Sequence, residues 1–234
     1  MEKILILKNI PRESAGLLER VLTVRRIKAD ILEMTNTIKL PALDDYRALI
    51  VLGGPDSAND QTPKMQKELS LVKDALQRHI PYLGICLGLQ VLVKAAGGQV
   101  IQNPVKEVGF NAPDNSEYTI NLTPLGKLDP LFNGLSDSFR VFQLHGETVI
   151  PTQDMHTLGT SAFCTEQIVR YHKAYGLQCH FELTPELFDL WMHEDHDLRQ
   201  LDAQGLRYAF ESFQEEYTTT GITLFHNFFD VAGL

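Results

Sequence analysis

Gly84-Ile85-Cys86-Leu87-Gly88-Leu89-Gln90 decides how the rest of this chain is read. The apolar run Ile80-Pro81-Tyr82-Leu83 leads into it, and Gln90-Val91-Leu92-Val93-Lys94-Ala95-Ala96 continues with helical character. A cysteine with glycines two positions before and after it, between a strand and a helix, reads as a nucleophile elbow. The glycines let the chain reverse where a Cβ would clash with the neighbouring strand or helix. The thiol then stands exposed at a helix N-terminus, whose dipole and free N–H groups favour an anion.

Upstream of the elbow the chain alternates. Lys3 to Asn9 is an apolar run of the kind buried on both faces of a parallel sheet, and the stretch from Met1 to Lys8 is too short for a signal peptide or a membrane span. Pro11 to Leu22 reads as a helix with Ala15, Leu18 and Leu22 at helical spacing, and Ala29 to Met34 as a weaker strand. Ala48 to Leu52 is a strong strand ending at Gly53-Gly54-Pro55. Thr62-Pro63 then opens a helix to about His79, with Met65, Leu69, Val72 and Leu76 on one stripe. The alternation predicts a doubly wound sheet with ligands at the carboxyl ends of its strands, where Cys86 and the Gly-Gly-Pro turn both fall.

Downstream the pattern changes. Residues 100 to 122 and 139 to 179 read as mixed or antiparallel strands extending the sheet, with a short helix over Leu125 to Phe132. Thr184 caps a helix opened by Pro185, and two or three helices run to about Phe229, with Thr218-Thr219-Thr220-Gly221 separating the last. With no repeat or flexible linker, one domain over residues 1–234 is expected, its core in about 1–185 and its C-terminal helices in about 184–234.

Composition narrows the class. Lys plus Arg is 21 and Asp plus Glu is 30 in 234 residues, a formal charge of −9 that argues against nucleic acid or an anionic membrane as partner. Three scattered cysteines, Cys86, Cys164 and Cys179, make neither a disulfide framework nor a zinc site, and a cytoplasmic setting without metal or cofactor is expected.

A catalytic cysteine needs a histidine to take its proton and a third group to orient that histidine. Among eight histidines, His180 in Tyr175-Gly176-Leu177-Gln178-Cys179-His180-Phe181-Glu182 fits best. It ends a strand-like run, and Glu182, two residues on, shares its face in extended chain and can fix its tautomer. An oxyanion hole needs two backbone N–H groups. Leu87 offers one and the Gly53-Gly54 turn the other, from Gly54.

The elbow, the Gly-Gly-Pro turn and the late His-x-Glu pair, in that order and spacing, resemble the class I (triad-type) glutamine amidotransferases over about residues 45 to 185. Within that class, Leu52-Gly53-Gly54-Pro55-Asp56-Ser57-Ala58-Asn59-Asp60 is most similar to free-standing members akin to the glutaminase domain of GMP synthase. The resemblance implies a flavodoxin-like three-layer α/β sandwich with a mostly parallel sheet, and Cys86, His180 and Glu182 as catalytic triad. It also implies substrate contacts from Gln90 and from Leu144, His145 and Gly146 within Val141-Phe142-Gln143-Leu144-His145-Gly146-Glu147. Glu107-Val108-Gly109 matches a recurring stretch of the class but receives no chemistry. Phe181 replaces the usual proline, Cys179 a common aromatic and Asp56 a frequent methionine. Phe181 is expected to point away from the triad face, while Asp56 leaves substrate preference open.

The activity implied is hydrolysis of the glutamine side-chain amide, releasing glutamate and ammonia for an unidentified acceptor, so that the protein either serves a separate synthase subunit or works alone; the oligomeric state, a homodimer included, stays open. A γ-glutamyl peptide hydrolase of the same fold is the competing enzyme, and a silent regulatory relative the competing non-enzyme. A protease or chaperone of a related elbow fold would need a different partner for the cysteine. His145 is assigned to the pocket wall rather than to the base. Cys164 and Cys179 read as core, Cys179 also as an oxidation-sensitive neighbour of His180, and His193-Glu194-Asp195-His196 as an exposed acidic helix face rather than a metal site.

Overall fold

Strands that are apolar along their whole length must be covered on both faces, and the computed structural model, which describes residues 3–36 and 39–234, covers them. Met1 and Glu2, at the head of the first apolar run, lie outside the described residues. The first half of the chain gives β1 (Lys3–Lys8), α1 (Leu17–Arg25), β2 (Lys28–Glu33), β3 (Tyr46–Val51), α2 (Pro63–Gln77), β4 (Tyr82–Ile85) and α3 (Leu87–Ala95). The second half gives β5 (Gln99–Gly109), β6 (Thr119–Leu122), β7 (Ser138–Arg140), β8 (Gln143–Ile150), β9 (His156–Thr160), β10 (Ile168–Tyr171), β11 (Ala174–Leu177), α4 (Pro185–Glu194) and α5 (Ala203–Ala232).

The central sheet has nine strands in the order β2-β1-β3-β4-β11-β10-β9-β6-β7. The first five are parallel and the last four antiparallel. Period-two alternation splits β1 and β3 between two cores. Ile4, Ile6, Ala48 and Ile50 pack with Leu17, Leu18 and Val21 of α1 and Leu224, Phe225 and Phe228 of α5. Leu5, Leu7, Leu49 and Val51 face Met65 and Val72 of α2 and Leu89 and Val93 of α3. Each such side chain, once buried, contributes about 1.5–3 kcal/mol before the entropy of ordering it is subtracted. The result is the expected three-layer sandwich.

Four expectations are corrected. First, β5 and β8 do not extend the sheet; among the described residues they pair with each other, in a separate antiparallel ribbon. Second, α1 begins at Leu17 rather than Pro11, because Gly16 sits at φ 50° with its Cα against the Glu182 carbonyl, where an added Cβ would stand 1.9 Å from that oxygen. The loop this frees, residues 9–16, reaches the site described below. Third, Leu125 to Phe132 forms two 3₁₀ turns, at Gly126–Leu128 and Pro130–Phe132. Fourth, Thr218–Gly221 separates nothing. α5 runs through it, and the helical geometry is interrupted at Phe213 instead. Packing overrides the weak helix propensity of the threonines and glycine there, since Gly221 lies against the Phe181 carbonyl, 2.4 Å from where its Cβ would be.

Candidate active site

Sterics fix the elbow. Cys86 adopts φ 53° and ψ −104°, a backbone that residues with a Cβ rarely occupy. A Cβ on Gly84 would lie 2.3 Å from the Gly88 carbonyl oxygen, and one on Gly88 would lie 2.2 Å from that of Val51. Both glycines are therefore demanded by backbone contact. The turn is pinned by Cys86 N–H donating to Leu177 O at 2.7 Å and by Leu89 N–H donating to Cys86 O at 3.0 Å. Leu87 follows at the first position of α3, where an N–H has no intrahelical acceptor.

β11, hydrogen-bonded alongside β4, carries the chain to His180. The imidazole Nδ1 donates to Glu182 Oε1 at 2.6 Å, since a carboxylate only accepts, and Phe181 N–H donates to Glu182 Oε2 at 2.9 Å. Both carboxylate oxygens are thus engaged, and Nε2 is the nitrogen left for Cys86, with no other hydrogen-bond partner among the described residues. Trp191 stands edge-on to the ring at 4.9 Å between centroids, and the Tyr217 hydroxyl donates to His180 O at 2.9 Å. Burial works against a charged His180, but Glu182 and the Cys86 sulfur outweigh it and hold its pKa well above the ordinary histidine value. Phe181 points away, fully buried against Phe139.

Cys86 and His180 open onto a cavity of about 600 Å³ that is also lined by Gly54, Gln90, Leu144, His145 and Gly146. The Cys86 sulfur lies 3.6 Å from Leu144 O, and Gln90 Nε2 donates to Glu147 O at 3.4 Å, so the β8 arm forms one wall. The Gly54 turn adjoins the elbow: a Cβ on Gly54 would stand 3.3 Å from Leu87 Cδ2. Glu182 and Leu87 do not line the cavity. Asp56 does, with its charge met by Lys64 at 2.5 Å.

Several residues of the site escaped the sequence reading. Gln178, fully buried, reaches within 3.8 Å of the Cys86 sulfur through Nε2. Its place two residues before His180 in extended chain was the available signal. Arg12 and Glu13 enter the cavity from the loop after β1, a strand end like those already singled out, but their stretch read as helix. Asp195, expected on an exposed face, is 7% exposed; it accepts N–H groups of Asp197 and Leu198 and pairs with Arg12 at 2.5 Å.

A second Cys–His–Glu group lies nearby. Ligand-type atoms of Glu107, His145 and Cys164 fall within 4.8 Å of one another, all buried. Here Nδ1 of His145 donates to Glu147 O at 3.0 Å, its Nε2 is 2.8 Å from Glu107 Oε2, and Gln167 Nε2 donates to the same oxygen at 3.0 Å. Glu107 thus has a place in the structure, fixing the His145 wall. Burial pushes the Cys164 thiol up to about 11, which disfavours the thiolate that a nucleophile needs. Cys179, with no exposed surface and a thiol raised well above its usual range by burial, is a core residue and no oxidation-prone neighbour. Among the described residues no helix is long and apolar enough to cross a membrane.

Comparison with known proteins bears on the family and the fold. The family model for glutamine amidotransferase class-I matches residues 7–197. The glutamine amidotransferase-like protein YfeJ of Salmonella typhimurium is 34% identical over 175 residues, 72% of this chain and 70% of that protein. One of the subunits of the glutamine-hydrolysing GMP synthase of Methanothermobacter thermautotrophicus is 28% identical over 169 residues, 71% of this chain and 81% of that protein. The crystal structure of a glutamine amidotransferase from Thermotoga maritima superposes with a TM-score of 0.85 at 26% identity, covering 97% of each chain. A family model spanning most of the chain, together with a fold shared over nearly its full length, makes this protein a member of the class I glutamine amidotransferase family.

Proposed function

We propose that this protein hydrolyses the side-chain amide of glutamine through a thioester on Cys86. The observation that carries the reading is the placement of His180, with one nitrogen on Glu182 and the other facing the elbow sulfur, at the edge of a cavity that also receives Gln90. The Cys86 thiolate attacks the δ-carbonyl carbon, and the N–H groups of Gly54 and Leu87 receive the oxyanion. As the C–N bond breaks, His180 gives its proton to the departing ammonia. It then takes a proton from water, whose oxygen attacks the thioester; collapse frees glutamate and returns the thiol. Glu182 holds the tautomer throughout. Gln90 and the Leu144–Gly146 backbone hold the amino-acid head group.

Ammonia from this site goes to an acceptor bound by a separate synthase subunit. The likeness to a protein named as part of a GMP synthase supports this reading. The competing γ-glutamyl peptide hydrolase uses the same steps with an amine as leaving group. Glutamate release from glutamine, measured beside amine release from γ-glutamyl dipeptides, separates the two. Glutamine turnover that disappears in Cys86→Ser supports the proposal, and turnover retained in that variant refutes it.

A further inference from the structure

The cavity contains an acidic side chain that the mechanism above leaves idle. Glu13 is 4% exposed, lines the cavity, and its buried Oε2 has no hydrogen-bond partner among the described residues. Buried carboxylate oxygens are almost always satisfied, so an orphan at a reactive centre calls for a role. The neighbouring cation does not supply one, because Arg12 is committed to Asp195 at 2.5 Å and to the Glu194 carbonyl at 3.3 Å.

Position suggests the role. Glu13 follows β1, and Gly53 follows β3; these adjacent strands flank the point where the strand order reverses, the usual crevice for ligands in such sheets. A methyl group placed on Gly53 would lie 2.5 Å from Glu13 Oε2 and 3.2 Å from His180 Cε1. The carboxylate and the imidazole ring therefore border the same point, and only a glycine leaves room for both. Glu182 already holds Nδ1, so Glu13 is a second carboxylate in the neighbourhood of the same ring.

We propose that Glu13 is a positioning residue of this centre, whose ionised carboxylate beside His180 holds the ring in its protonated form and so maintains the charged Cys86–His180 pair. The inference rests on the proposed thiol chemistry. The groups facing Glu13 are His180 and Glu182 after β11, Arg12 on its own loop and Asp195 after α4; those facing His180 are Glu182, Cys86 and Glu13 itself. Burial pushes the Glu13 carboxyl up to about 7, with His180 the foremost of the charges pulling it back. The coupling is reciprocal: an ionised Glu13 favours the imidazolium as much as the imidazolium favours it. Glu13 thus changes charge across neutral pH, and the site gains its second supporting carboxylate as pH rises through about 7.

Two readouts test this. The first is the rate at which iodoacetamide alkylates Cys86, followed by mass spectrometry from pH 5 to 9 without substrate; the second is kcat/KM for glutamine over the same range. Wild type is expected to show an inflection near 7 in both, absent from Glu13→Gln, whose rates fall about tenfold below wild type above that pH and converge with it below, the scale for losing one nearby charge in a partly buried site. Glu13→Asp, which keeps the charge on a shorter arm, is expected to retain a shifted inflection. The inference is overturned if Glu13→Gln keeps the wild-type profile, if it lowers the rate by one constant factor at every pH, or, should that variant not fold, if Glu13→Asp leaves the inflection unmoved. An alkylation inflection in a protein that does not hydrolyse glutamine would refute the proposed activity while leaving this role intact.

Discussion

Glu182→Gln tests the proposed chemistry most sharply, because the structure dictates how the amide must sit. Glu182 accepts at both oxygens, from His180 Nδ1 at 2.6 Å and from Phe181 N–H at 2.9 Å. A glutamine of the same shape has one acceptor and one donor. Its NH₂ cannot face the Phe181 N–H, since two donors would meet, so its oxygen takes that place and its NH₂ points at Nδ1. His180 must then carry its proton on Nε2, and the nitrogen facing Cys86 can no longer accept one. The same tautomer reversal in Ser–His–Asp triads lowers kcat about 10⁴-fold, equivalent to about 5 kcal/mol in the barrier. Removing the carboxylate also takes away the foremost group that raises His180's pKa, so imidazolium is lost at lower pH. The assay is glutamate release at saturating glutamine, with circular dichroism to establish folding. A folded variant within tenfold of wild type, with an unchanged pH profile, refutes the assigned roles of His180 and Glu182.

Two other variants probe neighbouring features. Cys164→Ser is expected to keep the contact that Cys164 makes with Thr148 Oγ1 at 3.2 Å and to leave kcat within about twofold, whereas Cys86→Ser loses about 10³-fold or more; equal losses in a steady-state assay would show that the wrong Cys–His–Glu group has been chosen. Glu68→Gln is expected to stabilise the protein at pH 8 but not at pH 5. Burial raises Glu68 from 4.5 to about 7, so between those values the folded state holds a proton that the unfolded state has released, and stability declines as pH rises through the window by roughly 3 kcal/mol. The glutamine cannot ionise and can still accept from Asn9 Nδ2; melting temperatures at the two pH values check this, and an equal effect at both contradicts it.

Local signals made the elbow, the Gly53-Gly54 turn and the His180–Glu182 pair legible before any coordinates. Each is a short motif whose residues do their work within a few positions of one another. What escaped the sequence depends on contacts between distant segments. Glu68 sits on the buried stripe of α2, where periodicity proposes an apolar residue, and is accommodated because Asn9, 59 positions away, donates to it at 3.0 Å. Gly16 looks like a residue inside a helix until the Glu182 carbonyl arrives against it. β5 and β8 carry strand-like patterns but no statement of which neighbour they choose. The register that sets Glu107 opposite His145 belongs to the ribbon they form away from the main sheet.

The proposed base depends on a part of the chain outside the family match. Residues 7–197 match the family model, yet the strip from His180 to Leu183 is held from beyond them by α5. The Tyr217 hydroxyl donates to His180 O at 2.9 Å and accepts from Leu183 N–H at 3.4 Å, fixing the backbone on either side of Phe181 and Glu182. One helical turn on, Gly221 admits the Phe181 carbonyl so closely that no side chain would fit. From the other side Leu17 N–H donates to Glu182 O at 2.8 Å. The imidazole ring is aimed by Glu182, but its backbone is clamped between α1 and α5. A histidine so held costs little to orient when the reaction begins, which is what preorganisation of a catalytic base requires.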